Sequence, residues 1–297
     1  MTEADTGQLS PAEARRQLER ASIWPQVNNR QVFRAFCEVD RAKFVSENRQ
    51  DEAYIDAIVK FEGTTTSISQ PSLVAKMIDH LDPVGRNKVL EIGAGSGYSA
   101  AVLSRCSKQV YTIDYDETLA NNARCRLSEL GYDNVQVKAG DGALGWPDNA
   151  PYDAIILTCG VRDLPSKLLE QLADGGRIVA PVGIDPDNLE LVVAERFGNE
   201  LNYKPIGPVF FLPLISKEHG GWTEELLVRL HQTKMWFLSL MFGYEGRSLN
   251  EYRKLVRQQL GNLPSDEVDQ ILCQSVSREK GFPKGLFESL KDPDSHF

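Results

Sequence analysis

Short apolar runs alternate with amphipathic stretches through the middle of the chain. The apolar runs lie at 89–92, 108–114, 135–138, 152–158 and 175–181. A helix is predicted at 165–172, between the fourth and fifth runs. Strands that alternate with helices are typical of a parallel sheet covered by helices on both faces. The pattern predicts an α/β fold with a doubly wound, mostly parallel sheet.

The two ends of the chain have the helical period instead. Ser10-Pro11-Ala12-Glu13 resembles a capped helix start, and a second predicted helix carries Val32, Phe33 and Phe36. Past the last apolar run, the residues at mostly four-residue steps are Trp222, Leu226, Leu230, Phe237 and Met241. Further helix starts are predicted at Ser248 and Ser265. We therefore expect N-terminal helices and a C-terminal helical extension.

A glycine-rich turn follows the first apolar run. Val89-Leu90-Glu91-Ile92 leads into glycines at Gly93, Gly95 and Gly97. Glycine lets the backbone approach a ligand closely and adopt a positive φ. A dinucleotide fingerprint needs a third glycine one residue later, where this chain has Tyr98, so a dehydrogenase is disfavoured. The G-x-G-x-G pattern after a strand-ending Glu91 resembles the S-adenosylmethionine loop of class I methyltransferases, which are Rossmann-like.

Two acidic residues end the next two predicted strands. Asp114 follows the glycine loop by about 20 residues, where an acid of nucleotide-binding folds accepts hydrogen bonds from the ribose hydroxyls. Asp141 is placed to accept from the adenine amino group. Tyr115 and Gly142, their neighbours, are included in the predicted cofactor site. A solvated turn is the alternative for both acids.

Several stretches together resemble the protein-L-isoaspartate O-methyltransferases. They occur in the family's order and cover roughly residues 30 to 215. The matching stretches are 38–45, 53–54, 67–71, 89–98, 140–146, 150–155, 171–177 and 210–214. The Ile68-Ser69-Gln70-Pro71 segment is the discriminating one, because generic class I methyltransferases lack it.

The resemblance implies a cofactor, a substrate class and site residues. The cofactor is S-adenosylmethionine, with S-adenosylhomocysteine as product, and the acceptor is the carboxylate of L-isoaspartyl or Asp residues in proteins or peptides. Ser69 would hold that carboxylate, while Ser67, Ile68 and Gln70 would flank the cofactor. A carboxylate has a pKa near 4 and is already an anion, so no general base or metal is needed. Ser69 can in addition be the N-cap of a helix that opens at Pro71.

The loop after the fourth strand departs from the family pattern. The family usually has a run of small residues there, and this chain has Thr158-Cys159-Gly160-Val161-Arg162-Asp163. The predicted substrate-binding residues are Cys159, Gly160, Val161 and Arg162. The charges at 162–163 could change which peptides enter, and a surface ion pair of little consequence is the alternative.

The chain also departs from the family pattern in its length. Family enzymes mostly end soon after the segment that matches 211–214, so we divide the chain into a catalytic domain at 1–216, with a cofactor-binding core at about 86–216, and an extension at 217–297. If the extension builds a wall of the substrate site, the enzyme would act on a normal Asp of one ribosomally made, constrained peptide. A second alternative is a scaffold with the same fold that has lost catalysis.

Composition limits the classes of partner that this chain is expected to bind. The chain has 297 residues, a net charge of −9 and 41% hydrophobic residues. Such an acidic chain is a poor match for nucleic acid, and no apolar stretch is long enough to span a membrane. The five cysteines are scattered, without the spacing of a zinc site, which favours reduced thiols in the cytoplasm. The oligomeric state is left open.

Overall fold

A computed structural model describes residues 9–61 and 66–227. The α-helices are α1 (Pro11–Gln17), α2 (Arg30–Glu38), α3 (Pro71–Leu81), α4 (Tyr98–Ser104), α5 (Glu117–Glu129) and α6 (Ser166–Gln171). The strands are β1 (Val59–Lys60), β2 (Ser67–Ile68), β3 (Lys88–Ile92), β4 (Gln109–Asp114), β5 (Val135–Ala139), β6 (Tyr152–Leu157), β7 (Leu172–Asp185), β8 (Asn188–Phe197) and β9 (Glu200–Val209). Shorter helical turns lie at Leu18–Ile23, Trp24–Gln26, Arg41–Phe44, Glu47–Glu52, Gly142–Leu144 and Pro147–Asn149.

The main sheet has seven strands in the order β5-β4-β3-β6-β7-β8-β9. Within this order, the strands from β5 to β7 are parallel to one another, which confirms the predicted α/β fold. The antiparallel strands β8 and β9 were not predicted. The sequence shows β7 only as a short run, but it continues to Asp185, where a tight turn leads directly into β8.

Side-chain alternation along the strands separates two cores. On β3, Val89 packs with the helices on one face, and Leu90 and Ile92 pack with the cluster on the other face. Successive strand residues point to opposite faces, so a sheet covered on both sides needs apolar residues at every position. This explains why the parallel strands read as continuous apolar runs.

The register of the parallel strands brings their carboxyl ends to one edge. Ile92 at the end of β3 lies beside Ile113 of β4 and Leu157 of β6, and Asp114 lies beside Ala139 of β5. The chain leaves β3 towards β4 on one side, while β6 lies on the other side. Ligands of open α/β sheets bind at such a switch point. The sheet therefore places the glycine loop, Asp114 and the loop after β5 together.

One helix is shorter at both ends than the sequence predicts, and another starts where the sequence predicts. The helix predicted at 165–172 is α6, Ser166–Gln171, because Leu172 already pairs with Tyr152 as the first residue of β7. The first N-terminal helix starts at Pro11 with the predicted capping box of Ser10 and Glu13. It then widens into a π-helical turn at Leu18–Ile23.

The beginning of the predicted extension belongs to the body of the fold. Trp222 was placed on a helical stripe, which is wrong: it has no exposed surface and pairs as an isolated bridge with Ile215. The helix begins after it, at residue 224, where the Thr223 hydroxyl accepts from the Leu226 N–H. The predicted helical positions Leu230, Phe237, Met241, Ser248 and Ser265 lie outside the described residues. Across the described ranges, no helix is both long and apolar enough to cross a membrane.

Candidate active site

The three glycines of the loop after β3 all have positive φ, at 101°, 52° and 87° for Gly93, Gly95 and Gly97. Gly93 is packed tightly against Thr158, because a Cβ atom at Gly93 would lie 2.4 Å from Thr158 Oγ1. At Gly95 a Cβ would meet no described atom within 4 Å. The loop is therefore held against the sheet at its start and faces open space at its middle, as a ligand cradle requires.

Asp114 is bound directly to this loop. Its Oδ2 accepts a hydrogen bond from the Gly95 N–H at 2.8 Å, and its Oδ1 accepts from the Asp116 N–H at 3.0 Å. Burial raises the pKa of Asp114, and these two backbone donors oppose that rise. Each carboxylate oxygen keeps one further acceptor position, which suits a pair of ribose hydroxyls. Tyr115 beside it is 60% exposed and offers an aromatic face at the same edge.

Asp141 is fixed by donors from two different parts of the chain. Its Oδ1 accepts from the Ala143 N–H at 2.9 Å and its Oδ2 accepts from the Ser216 hydroxyl at 2.7 Å. Gly142 serves packing, since a Cβ there would lie 2.3 Å from Ile92 Cγ2. The predicted contact between Gly142 and the cofactor would therefore be made by the Gly142 backbone.

Glu91 lies in the sheet beneath the loop and has no exposed surface. The Thr112 hydroxyl donates to its Oε2 at 2.6 Å, and its Oε1 has no hydrogen-bond partner among the described residues. Burial raises the pKa of Glu91 to about 7, against the lowering effect of the Thr112 and Ser99 hydroxyls. Because the Glu91 side chain has no exposed surface, its predicted direct contact with the cofactor is not available in this structure.

Replacing Glu91 with glutamine should change how stability depends on pH. Between the ordinary carboxyl pKa and about 7, the folded protein binds the Glu91 proton more tightly than the unfolded chain does. The free energy of unfolding of the wild type therefore falls as pH rises through this window, and glutamine has no proton to lose. We expect the variant to gain about 3 kcal/mol relative to the wild type between pH 4.5 and pH 8. Urea denaturation of both proteins without cofactor measures this, and a constant difference across the range would contradict it.

Ser69 lies between β2 and α3, half-buried. Its hydroxyl makes no hydrogen bond within the described ranges, so it is available to a ligand. The N-cap alternative for Ser69 is wrong: Gln70 is the N-cap residue of α3, and the Ser72 N–H is bound by Asp56 Oδ1 at 2.9 Å. The predicted flanking residues Ser67 and Ile68 form β2, where Ile68 is buried, and the Gln70 side chain donates to Asp56 Oδ2 at 3.1 Å.

A buried arginine connects Ser69 to the glycine loop. Arg41 is 2% exposed, and its guanidinium lies 6.0 Å from the ring centroid of Tyr98, the first residue after that loop. The same guanidinium donates at 3.3 Å to the Ser69 carbonyl. Its other acceptors are the carbonyls of Glu52, Ala53, Ile55 and Ala57. No role was predicted for Arg41. The sequence signal for a buried role of Arg41 is a charged residue between the apolar residues of the matching stretch at 38–45.

The structure divides the four predicted substrate-binding residues. Gly160 and Val161 are buried and held by backbone hydrogen bonds, since the Gly160 N–H donates to the Leu212 carbonyl and the Val161 N–H to the Pro181 carbonyl. Burial also raises the pKa of the Cys159 thiol, which keeps it protonated and unreactive. Of the four, Cys159 and Arg162 are half-buried, and their contact with substrate stays a prediction.

These donors and acceptors fit a nucleoside with an amino-acid tail. The open glycine loop, Asp114 as the predicted ribose acceptor and Asp141 as the predicted adenine acceptor follow the carboxyl ends of neighbouring strands at the switch point. Among the described residues, no group of three His, Cys, Asp or Glu side chains could hold a metal ion.

Comparisons with known proteins agree with this geometry. The family model of "Protein-L-isoaspartate(D-aspartate) O-methyltransferase (PCMT)" matches residues 17–219. A protein-L-isoaspartate O-methyltransferase of Pelotomaculum thermopropionicum is 43% identical over 213 residues, which are 72% of this chain and 92% of the relative. A solved protein-L-isoaspartate O-methyltransferase superposes with a TM-score of 0.63 at 25% identity, covering 75% of this chain and 70% of its own.

A second solved structure shares the fold. It is a protein-L-isoaspartate O-methyltransferase described as putative, from Plasmodium falciparum, in complex with S-adenosyl-L-homocysteine. Its TM-score is 0.57 at 20% identity, and the match covers 68% of this chain and 98% of that one. The fold and the cofactor loop define a class I, S-adenosylmethionine-dependent methyltransferase. Within that class, the chain belongs to the protein-L-isoaspartate O-methyltransferase family.

Proposed function

We propose that this enzyme methylates the free carboxylate of L-isoaspartyl residues in proteins and peptides. The observation that carries the proposal is the arrangement at the sheet edge: the Ser69 hydroxyl is available, and Arg41 ties its backbone to the start of α4, next to the glycine loop. The family match supplies the reaction class, and the site retains each residue type that this reaction uses.

The chain's own residues bind and orient the reactants. S-adenosylmethionine, when bound, supplies a methyl group on a sulfonium, which needs no further activation. Asp114 would hold the ribose of the cofactor and Asp141 its adenine amino group, beside the glycine loop. Ser69 donates a hydrogen bond from its hydroxyl to the acceptor carboxylate and holds one of its oxygens. The acceptor is already anionic at neutral pH, so the residues contribute position and exclusion of water rather than a base.

The methyl ester then reacts without further help from the protein. The ester is a better acyl electrophile than the carboxylate, so the following backbone nitrogen attacks it and methanol leaves. The product is a five-membered succinimide. Hydrolysis of that ring gives a mixture of aspartyl and isoaspartyl linkages. Because only the isoaspartyl form re-enters the cycle, normal Asp accumulates, which amounts to repair of aged protein.

The alternatives drawn from the sequence are not needed to account for the site. Neither a dedicated enzyme for a normal Asp of one constrained peptide nor a scaffold without catalysis is favoured by a specific contact. The division at 216/217 stays a prediction; Trp222, which lies beyond it, is buried and forms a bridge with Ile215. The cytoplasmic location and the lack of nucleic-acid or membrane partners also stay predictions.

A panel of short, unrelated isoaspartyl peptides tests the substrate class. We expect kcat/KM values that vary modestly with the flanking sequence, because the described site contacts the reacting carboxylate through one hydroxyl. Mass spectrometry of the methyl ester gives the rates. Binding of S-adenosylmethionine by titration calorimetry is the control for an intact cofactor site. Methylation of none of the peptides by protein that binds the cofactor would contradict the proposal and favour the dedicated enzyme.

A further inference from the structure

The segment that follows β9 folds back across the cofactor edge of the sheet. We call residues 212–222 the closing segment. It is joined to the loop after β6 by hydrogen bonds from the Gly160 N–H to the Leu212 carbonyl at 2.8 Å and from the Leu214 N–H to the Gly160 carbonyl at 2.7 Å. It then turns and pairs with itself, since the Trp222 N–H donates to the Leu214 carbonyl at 2.8 Å. The closing segment is therefore a fixed part of the site.

One side chain of the closing segment reaches the cofactor site. Ser216 is 4% exposed, and its hydroxyl donates to Asp141 Oδ2 at 2.7 Å. The same hydroxyl oxygen accepts from the Glu218 N–H at 2.9 Å. A hydroxyl has a single proton to donate. Because the Glu218 N–H occupies a lone pair of the oxygen, that proton is directed to the carboxylate.

We infer that Ser216 is a positioning residue for Asp141 and thereby sets the enzyme's preference for the adenine amino group. The inference rests on the proposed role of Asp141 as the acceptor for that group. Ala143 holds one carboxylate oxygen from the loop after β5, and Ser216 holds the other from the closing segment. With donors on both oxygens, the carboxylate cannot rotate about its bond to Cβ. Its remaining acceptor positions keep a constant direction towards the ligand.

The closing segment, which carries Ser216, also contacts the loop that is predicted to bind substrate. Trp222 is fully buried at the end of the closing segment, and the Arg162 guanidinium lies 5.7 Å from the centroid of its ring. The Arg162 N–H donates to the Gly220 carbonyl at 2.8 Å. The packing around Ser216 is tight, because a Cβ at Gly221 would lie 2.5 Å from Ser216 Cβ. A variant that tests the hydroxyl must therefore not be larger than serine.

The experiment compares two ligands in the full-length protein with Ser216→Ala. Titration calorimetry measures the Kd of S-adenosylhomocysteine and of S-inosylhomocysteine, in which a carbonyl oxygen replaces the amino group. We expect the wild type to prefer the adenosyl compound. In Ser216→Ala its affinity should fall about tenfold, the loss of one hydrogen bond to a charged group, while the affinity for the inosyl compound changes little. A structural role alone would weaken both ligands equally.

Matched variants keep the result interpretable. Ser104 is also buried, at 7% exposed, and its hydroxyl donates to the Ala101 carbonyl at 2.7 Å, away from the site. Ser104→Ala should leave both Kd values unchanged. If Ser216→Ala does not fold, Ser216→Gly is the second variant, which is smaller than serine and has no side-chain donor, and the same loss of preference is expected.

A further variant separates this inference from the role of Asp141. If Asp141→Ala, which has no acceptor, removes the preference and the Ser216 variants keep it, the inference is overturned while the role of Asp141 stands. If Asp141→Ala keeps the preference, the proposed adenine contact itself is wrong. Equal weakening of both ligands in Ser216→Ala would also overturn the inference.

Discussion

Replacing Asp114 with alanine should lower the affinity for S-adenosylmethionine at least about 100-fold. In the proposed site, the variant loses both hydrogen bonds from the ribose hydroxyls to a charged acceptor. In addition, the Gly95 N–H loses its partner at 2.8 Å, so the open part of the glycine loop is no longer held in position. Titration calorimetry with S-adenosylhomocysteine measures the loss without turnover.

The control for Asp114→Ala is an aspartate outside the site. Asp133 is exposed in the turn before β5, and its replacement with alanine removes the same charge. We expect Asp133→Ala to bind the cofactor with wild-type affinity. A similar affinity in the Asp114 and Asp133 variants would mean that the cofactor does not bind along this edge of the sheet.

Ser69→Ala should slow methyl transfer about 100-fold and leave the affinity for S-adenosylmethionine within about twofold. In the proposed function the hydroxyl holds the acceptor carboxylate, so its loss would let the reacting oxygen move away from the line of transfer. The backbone of Ser69 stays anchored by Arg41, which the substitution does not touch. Single-turnover kinetics with a saturating isoaspartyl peptide gives the rate, and calorimetry gives the affinity.

Ser46→Ala is the matched control for Ser69→Ala. Ser46 is half-buried at the start of a helical turn near the N-terminus and caps it with no side-chain hydrogen bond. Its replacement should change neither rate nor affinity. If Ser69→Ala loses cofactor affinity and rate in equal measure, Ser69 belongs to the cofactor site and the division of roles is wrong.

The parallel half of the fold could be predicted because its strands are buried on both faces. That burial leaves continuous apolar runs, and the loops at their carboxyl ends contain the glycines and acids that mark a cofactor. The strands β8 and β9 were harder to recognise. β9 lies at the edge of the sheet with mostly exposed or half-buried residues, including prolines, so it lacks an apolar run.

The supporting residues of the site could not be predicted in the same way. Arg41 and Ser216 act through hydrogen bonds to Ser69 and Asp141, which lie 28 and 75 residues away in sequence. Nothing in a local pattern records such pairs. The same holds for Val161, which is buried and forms a bridge with Val182, 21 residues further along the chain. The sequence identified the residues proposed to bind the ligands, and the fold was needed to show which residues hold them in position.

The most direct measurement of the central claim uses two short peptides that differ only in Asp or isoaspartate at one position. Each is incubated with the enzyme and S-adenosylmethionine, and mass spectrometry detects the added methyl group. We expect the increment on the isoaspartyl peptide alone, followed by its loss as the succinimide forms. Methylation of the Asp peptide alone, or of neither peptide by protein that binds the cofactor, would contradict the assignment as an isoaspartyl methyltransferase.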